Sequence, residues 1–245
     1  VKDGKFEGLD YSGKEFWLAF MQNFSNENLD QKLFLTGTKN ATANISYPLL
    51  GWSTTVSVVA NQVTSVTIPN KLAGVVTATE PGDSISPTGL YVTSDEEISI
   101  YGYSGIPMST DAYLAIPRRT LGRSYVVTAP VGIYNPLTVS TVLTNAPAEF
   151  IVIATENNTT VKIIPSAPTE KYNRLDTIQV KLSKGQTYLV KARVDFDGAG
   201  VATNTYDLTG SRVFADKKIG LIGGSQCALI PGITTYSSLL KTLES

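Results

Sequence analysis

The chain has 245 residues, 42% of them hydrophobic and 17% charged, with a formal net charge of −1. This length can bury a core as one large domain or two smaller ones. The balanced charge and the lack of a basic block argue against nucleic acid or an anionic membrane surface as partner. The chain has no histidine, which removes the usual catalytic triads and His-ligated metals. No apolar run approaches the roughly 20 residues of a membrane helix, so we expect no membrane insertion in this segment.

The first half alternates between strand signals and turn signals. The aromatic, apolar segment 15–21 and the segment 33–37 predict buried strands. Segments 53–59 and 63–69 alternate polar and apolar residues about a turn at 60–62, which predicts a hairpin. Low charge with abundant Thr, Val, Ile, Ser and Tyr is typical of a β-rich composition.

Two stretches resemble one another at a distance of 121 positions: TGLYVTSDEEISIYGYS at 88–104 and TGSRVFADKKIGLIGGS at 209–225. Gly89 matches Gly210 and Asp95 matches Asp216, with a charged segment between two apolar runs in each copy. The pattern predicts one hairpin written twice, with an exposed turn that opens at the aspartate.

The second half repeats the order of signals. Segments 124–130 and 149–155 take the places of the first two strands, and alternating runs at 177–182 and 187–194 flank a Ser-Lys-Gly-Gln turn. Asn157 stands where Asn40 stands when Thr155 is matched to Thr38.

These patterns predict an all-β fold of two repeated β-sandwich units, either in tandem or fused into one body with pseudo-two-fold symmetry. If strands 15–21 and 124–130 meet at the centre, the fused form is favoured. The predicted divisions are an N-terminal arm at 1–14, a first repeat at 15–105, a junction at 106–123, a second repeat at 124–231 and a C-terminal tail at 232–245.

Few residues offer chemistry. The single cysteine, Cys227, excludes an intrachain disulfide and a thiolate zinc site, and we expect a small buried side chain beside a strand end. Asp195, Asp197 and Asp207 flank a Gly-rich loop and are the candidate ligands for calcium, although loop acids are more often simply solvated. No other metal or cofactor is expected.

Asparagine triplets and aromatic side chains supply further candidates for surface roles. Five Asn-X-Ser/Thr triplets are glycosylation candidates, or arise by chance in a chain rich in these residues: Asn23, Asn40, Asn44, Asn157 and Asn158. Five aromatic residues are candidates for a sugar- or protein-binding platform, or for core and rim packing: Tyr11, Trp52, Tyr134, Tyr172 and Tyr206.

Four stretches together resemble the amino-terminal module of the IgG-Fc-binding protein family, which also occurs in bacterial surface and adhesin-like proteins. They are residues 13–24, 89–104, 111–130 and 209–231. The family pattern near the end is Gly-Gly, Cys-Ala, a Pro, and then a second Cys within a Cys-Asp-His-Leu run. Cys227, Ala228 and Pro231 fit this pattern, but TTYSSLL at 234–240 replaces the run, so the disulfide that the motif implies cannot form.

The resemblance implies a non-enzymatic, extracellular or cell-surface binding or adhesion module of a larger protein, which recognises a protein or glycan through loops and edges. Immunoglobulin is a partner by family resemblance alone, because a shared module does not carry a shared ligand. A spacer or stalk domain without its own ligand is the alternative. A glycan-active enzyme that uses an Asp/Glu pair is the third reading, and it requires two carboxylates facing one cleft.

Overall fold

The computed structural model describes residues 11–23, 29–69, 81–106, 109–133 and 145–228. These residues form an all-β protein with seventeen strands, joined by turns and one 3₁₀ turn at Arg118–Thr120. The prediction of an all-β fold is therefore confirmed.

Eight strands precede the 3₁₀ turn. They are β1 Gly13–Leu18, β2 Asp30–Thr36, β3 Ala41–Tyr47, β4 Trp52–Val58, β5 Val63–Thr67, β6 Ser84–Ser86, β7 Leu90–Ile106 and β8 Ser109–Leu114. Seven of them form one sheet around the 17-residue β7. The first part of β7 pairs with β1 and β3, and its last part pairs with β2 and β8. This sheet encloses an apolar core to which β1, β2, β3 and β7 all contribute.

Nine strands follow the 3₁₀ turn. They are β9 Ser124–Val126, β10 Ala148–Ala154, β11 Thr159–Ile164, β12 Ile178–Leu182, β13 Thr187–Lys191, β14 Val194–Phe196, β15 Ala202–Thr205, β16 Arg212–Ala215 and β17 Ile219–Ser225. One sheet has the order β12-β11-β16-β9, and a second has the order β17-β10-β13-β6. A second apolar core includes side chains from both sheets, and β14 and β15 form a separate hairpin.

The predicted hairpins at 88–104 and 209–225 are wrong. Residues 90–106 form one continuous strand, and the residues around Asp95 are a bulge in it where the pairing passes from β3 to β2. In the second stretch, β16 pairs with β11 whereas β17 pairs with β10, so the segment around Asp216 is a corner between two sheets. A strand that changes its pairing partner, or a chain that crosses from one sheet to another, needs a bulge or bend, and the charged segments supply it.

The predicted hairpin at 53–69 is also wrong, because its two strands pair with other strands and not with each other. The turn is present, and Asn61 takes a positive φ of 58° in it. However, β4 pairs with β3 and β5 pairs with β2. Alternation along a strand reports that one face is buried, and it does not report which neighbour forms the hydrogen bonds.

The two halves pair their strands in the same register. Asn44 on β3 lies opposite Thr55 on β4 and Thr93 on β7. Lys162, at the corresponding place on β11, lies opposite Gln179 on β12 and Phe214 on β16. Asn44 and Lys162 therefore occupy matched positions in the two halves.

Two matched side chains form the same hydrogen bonds in each half. Asp95 Oδ1 accepts the backbone N–H of Thr42 at 2.7 Å, and Asp216 Oδ1 accepts that of Thr160 at 2.8 Å. Asp95 thus links the bulge in β7 to β3, and Asp216 links the corner after β16 to β11.

The matched asparagines, Asn40 and Asn157, each form a hydrogen bond to a turn: Asn40 to the turn after β4, and Asn157 to the turn after β12. Asn40 Oδ1 accepts the N–H of Ala60 at 2.9 Å, and Asn157 Oδ1 accepts the N–H of Lys184 at 3.0 Å. A side-chain oxygen that accepts a backbone N–H in this way satisfies a donor that the turn leaves unpaired.

A third apolar cluster lies between the two halves. Trp17 and Ala19 pack against Ile151, Ile153 and Leu189 of β10 and β13. In this cluster β1 packs against β10 and β13, whereas β9, which lies in the predicted partner segment 124–130, pairs with β16 instead. The short strand β6 also adds to the edge of β13, so segments from both halves share one sheet.

The interface between the halves also contains aromatic and ionic contacts. The Trp17 ring stacks on Tyr91 with centroids 4.5 Å apart, and Lys184 Nζ lies 5.6 Å from the Trp17 ring centroid. Arg118 lies between two carboxylates, Glu15 at 3.5 Å and Glu156 at 3.4 Å.

Candidate functional site

The most distinctive exposed surface is the outer face of the β12-β11-β16-β9 sheet, which we call the cationic sheet. Lys181, Lys162 and Arg212 project from three neighbouring strands, and all three are exposed. The four strands of this sheet contain no aspartate or glutamate. None of the three cations forms an ion pair with another described residue.

The three cations lie on one diagonal across the sheet. Lys162 occupies the central strand, with Lys181 one diagonal step away on β12 and Arg212 one diagonal step away on β16. Each diagonal step in an antiparallel sheet spans about 7–8 Å. Apolar side chains flank the line: Phe214 lies directly opposite Lys162, and Ile164 lies directly opposite Arg212.

The edge of the cationic sheet is also apolar. Val126 on β9 lies opposite Arg212 and is 71% exposed, and Phe214 is 39% exposed. Single exposed apolar residues are common, but here they alternate with unpaired cations on one flat face.

The matched diagonal of the first half has no charged side chain, and we call it the neutral face. At the three positions of the diagonal it has Ser57, Asn44 and Tyr91. Asn44 Nδ2 donates a hydrogen bond to Thr55 Oγ1 at 3.2 Å, so the side chains of this face partly satisfy one another. The same register therefore displays opposite chemistry in the two halves.

A cleft of about 320 Å³ lies where the end of β1 meets β8 and the end of β17. Its lining includes Phe20, Tyr113 and Cys227. Cys227 forms no disulfide in the described part of the chain and is partly exposed, whereas we expected it to be buried. The prediction that it stands beside a strand end is correct, because β17 ends at Ser225.

A buried polar network lies beside this cleft. Gln226 Nε2 donates hydrogen bonds to Gln22 Oε1 and, at 3.4 Å, to Glu149 Oε2. Lys191 Nζ donates to Gln22 Oε1 at 3.3 Å and forms an ion pair with Glu170 at 3.0 Å. Burial raises the pKa of the Glu149 carboxyl to about 8, although Gln226 and Lys191 oppose the shift. Sequence reasoning missed this network, because only the fold brings its members together.

The predicted calcium ligands each have a local partner. Asp195 accepts hydrogen bonds from Arg193 Nε, at 2.9 Å, and from the Tyr206 hydroxyl. These bonds lower the pKa of Asp195, with the Tyr206 bond as the largest cause.

The other two carboxylates bind backbone groups. Asp197 Oδ1 accepts the N–H groups of Ala199 and Val201, both at 2.9 Å, and Asp207 Oδ1 accepts that of Thr209 at 2.6 Å. Across the described ranges, no group of three or more acidic, Cys or His side chains is arranged to hold a metal ion. Calcium binding by these residues stays a prediction.

Three clefts of the described residues each have a single lining carboxylate: Asp111, Glu170 and Glu97. Glycosidases of the usual type need two carboxyl groups about 5–10 Å apart across the scissile bond. None of these three clefts supplies that pair from its lining residues.

The other sequence candidates are dispersed. Tyr11 is exposed, Trp52 packs against the first core, and Tyr172 and Tyr206 pack against the second, while Tyr134 lies outside the described residues. Of the described aromatic residues, Trp52 thus lies against a different core from Tyr172 and Tyr206. Among the glycosylation candidates Asn23 is buried, whereas the others lie at exposed positions: Asn40, Asn44, Asn157 and Asn158.

Comparison with known proteins gives one match. The family model described as IgGFc binding protein matches residues 111–242, which is more than half of the chain. No curated protein and no solved structure matches the chain. In the part of the chain that the structure describes, no helix has the length and hydrophobicity to cross a bilayer. Because the family model matches more than half of the chain, the chain belongs to the IgGFc binding protein family.

Proposed function

We propose that this protein is an extracellular, non-enzymatic binding or adhesion module of a larger cell-surface or secreted protein. The observation that carries this proposal is the family match, which spans residues 111–242. An all-β scaffold with two apolar cores supports it, because a rigid scaffold can present side chains to a partner with little loss of conformational entropy.

We further infer that the body is built from two copies of one β-sandwich unit, fused through the Trp17 cluster. The common strand register and the matched bonds of Asp95 and Asp216 support this inference. The units take most of their strands from residues 15–105 and 124–231, while β6 joins the sheet of the second unit and β8, within the junction at 106–123, joins that of the first. A spacer role without a ligand is the alternative function.

A binding experiment tests the proposal. The purified chain, immobilised, is exposed to immunoglobulin Fc, mucins and an array of host glycans. Saturable binding to any of these, lost when the chain is thermally unfolded, is the expected result. Silence across the whole set would contradict a binding role and favour the spacer. Hydrolysis of any arrayed glycan by the chain would instead favour an enzyme.

A further inference from the structure

We propose that the cationic sheet binds a linear acidic polysaccharide along the Lys181–Lys162–Arg212 diagonal. This inference rests on the proposed binding function and deepens it by assigning the surface and the class of ligand. It depends on the arrangement of charge, on the position of that charge within the sheet, and on the apolar side chains beside it.

The charge arrangement calls for an anion. Lys162 has a like charge one diagonal step away on each side, at about 7–8 Å, and the four strands supply no carboxylate. Like charges at this separation on an exposed face repel one another weakly through solvent. A partner with regularly spaced anions removes this repulsion, and each contact releases a counterion from a polyanion.

The position of the diagonal favours a polysaccharide over a peptide strand. Peptides that bind to sheets commonly add to a free edge, where backbone groups supply the hydrogen bonds. Lys162 and Arg212 instead lie on β11 and β16 in the interior of the sheet, where the backbone is paired on both sides, and only Lys181 lies on an edge strand, β12. A ligand that spans all three cations must therefore bind mainly through its own charged and apolar groups.

The apolar side chains match the second property of a sugar chain. Phe214 lies opposite Lys162 and Val126 lies opposite Arg212, and both are exposed. A sugar ring has an apolar C–H face between its anionic substituents, so a chain along the diagonal can place anions on the cations and C–H faces on Phe214. Arg212 adds a planar guanidinium that can bind a carboxylate or sulfate with two hydrogen bonds.

The test uses the full chain and a size-defined heparin oligosaccharide, with calorimetry over a series of NaCl concentrations. The combined variant Lys162→Gln, Lys181→Gln, Arg212→Gln is expected to lower the affinity roughly tenfold or more, since exposed charge contacts contribute up to about 1 kcal/mol each. The slope of log affinity against log salt is expected to fall by about 1 for each cation removed.

A matched control removes the same number of charges elsewhere. Lys14→Gln, Lys39→Gln, Arg119→Gln changes cations that face Glu96 and Glu97 in the first half. This control is expected to bind heparin like the wild type. If the control loses as much affinity as the test variant, binding follows net charge and the assigned surface is wrong. Thermal unfolding of both variants must match the wild type within about 0.5 kcal/mol, as expected for surface substitutions.

Two further outcomes decide the ligand class. Replacement of Phe214 by Ser is expected to weaken heparin binding and to leave the salt slope unchanged. Equal affinity for a poly-glutamate peptide of matched charge would overturn the polysaccharide assignment. No heparin binding would overturn this inference as well, whereas binding of immunoglobulin Fc or a mucin by the triple variant would leave the proposed function intact.

Discussion

The neutral face and the cationic sheet share one backbone register but not one chemistry. Ser57, Asn44 and Tyr91 occupy the positions that Lys181, Lys162 and Arg212 occupy in the other half. The core clusters of both halves consist of buried apolar side chains. On strands with one solvent-exposed face, such as β3 and β11, core packing restrains about every second position, while the outward positions are free to carry function.

The two faces also differ in what covers them. Tyr91 stacks on Trp17 at the interface between the halves. Arg212 and Val126, in the matched positions, are exposed. The neutral face therefore takes part in the contact between the halves through Tyr91, whereas the matched positions of the cationic sheet are accessible to a partner.

The largest expected difference between the halves is at the matched glycines. A Cβ on Gly89 would lie 2.5 Å from the backbone oxygen of Gly185, whereas a Cβ on Gly210 would make only an ordinary contact with Ser166 Cβ at 3.9 Å but at a φ of +89°. We expect Gly89→Ala to lower the free energy of unfolding by about 3 kcal/mol, because backbone must move. Gly210→Ala should cost about 1–2 kcal/mol, from the left-handed φ alone. Urea titration of both variants measures this, and equal losses would contradict it.

The next difference is in pH dependence. Glu149 on β10 and Lys32 on β2 occupy matched positions, but only Glu149 is buried. Because the folded pKa of about 8 lies above the usual value of 4.5, the folded state holds the proton more tightly. This group's stabilisation is complete below pH 4.5 and is lost as pH rises towards 8, at up to about 1.4 kcal/mol per pH unit.

The variant Glu149→Gln isolates this contribution. Its stability is expected to change less between pH 5 and 8 than that of the wild type, as measured by urea unfolding at several pH values. Lys32→Gln is the matched control and should keep the wild-type slope. A Glu149→Gln protein with the wild-type slope would show that the carboxyl is ionised through this range.

The matched aspartates Asp95 and Asp216 are expected to contribute equally to the free energy of unfolding. Asp95→Ala and Asp216→Ala each remove a hydrogen bond to a backbone N–H, and each is expected to cost about 1 kcal/mol. Glu96→Gln removes only exposed ion pairs and should cost under about 0.5 kcal/mol. Thermal unfolding compares the three. A loss at one corner that is several times the loss at the other would break the equivalence of the halves.

The smallest expected effect is that of calcium on the second half. If Asp195, Asp197 and Asp207 bind calcium, we expect a weak site with a Kd of about 0.1–1 mM, the range of calcium sites in extracellular modules. Competition from Arg193 and Tyr206 for Asp195 should weaken it further. Calorimetry on the wild type and on Asp195→Ala with Asp197→Ala measures this. An absence of heat and of any shift in melting temperature in the wild type would end the prediction.

Local sequence patterns are enough to predict the all-β class, most strand positions, the tight turns and the family resemblance. These properties depend on local pattern: alternation predicts a half-buried strand, and residues such as Gly185 predict a turn. The matched Asn40 and Asn157 were also visible in the sequence, and both form the same bond to a turn.

The pairing of the strands and the contacts between distant side chains, in contrast, are visible only in the fold. The stretches around Asp95 and Asp216 look like hairpin turns, because a turn and a corner between sheets need the same polar, extended or bent residues. Lys181, Lys162 and Arg212 are separated by up to 50 positions in sequence, and only the register of three strands places them on one line. Pairing is a long-range choice made by burial of whole faces, so local pattern cannot encode it.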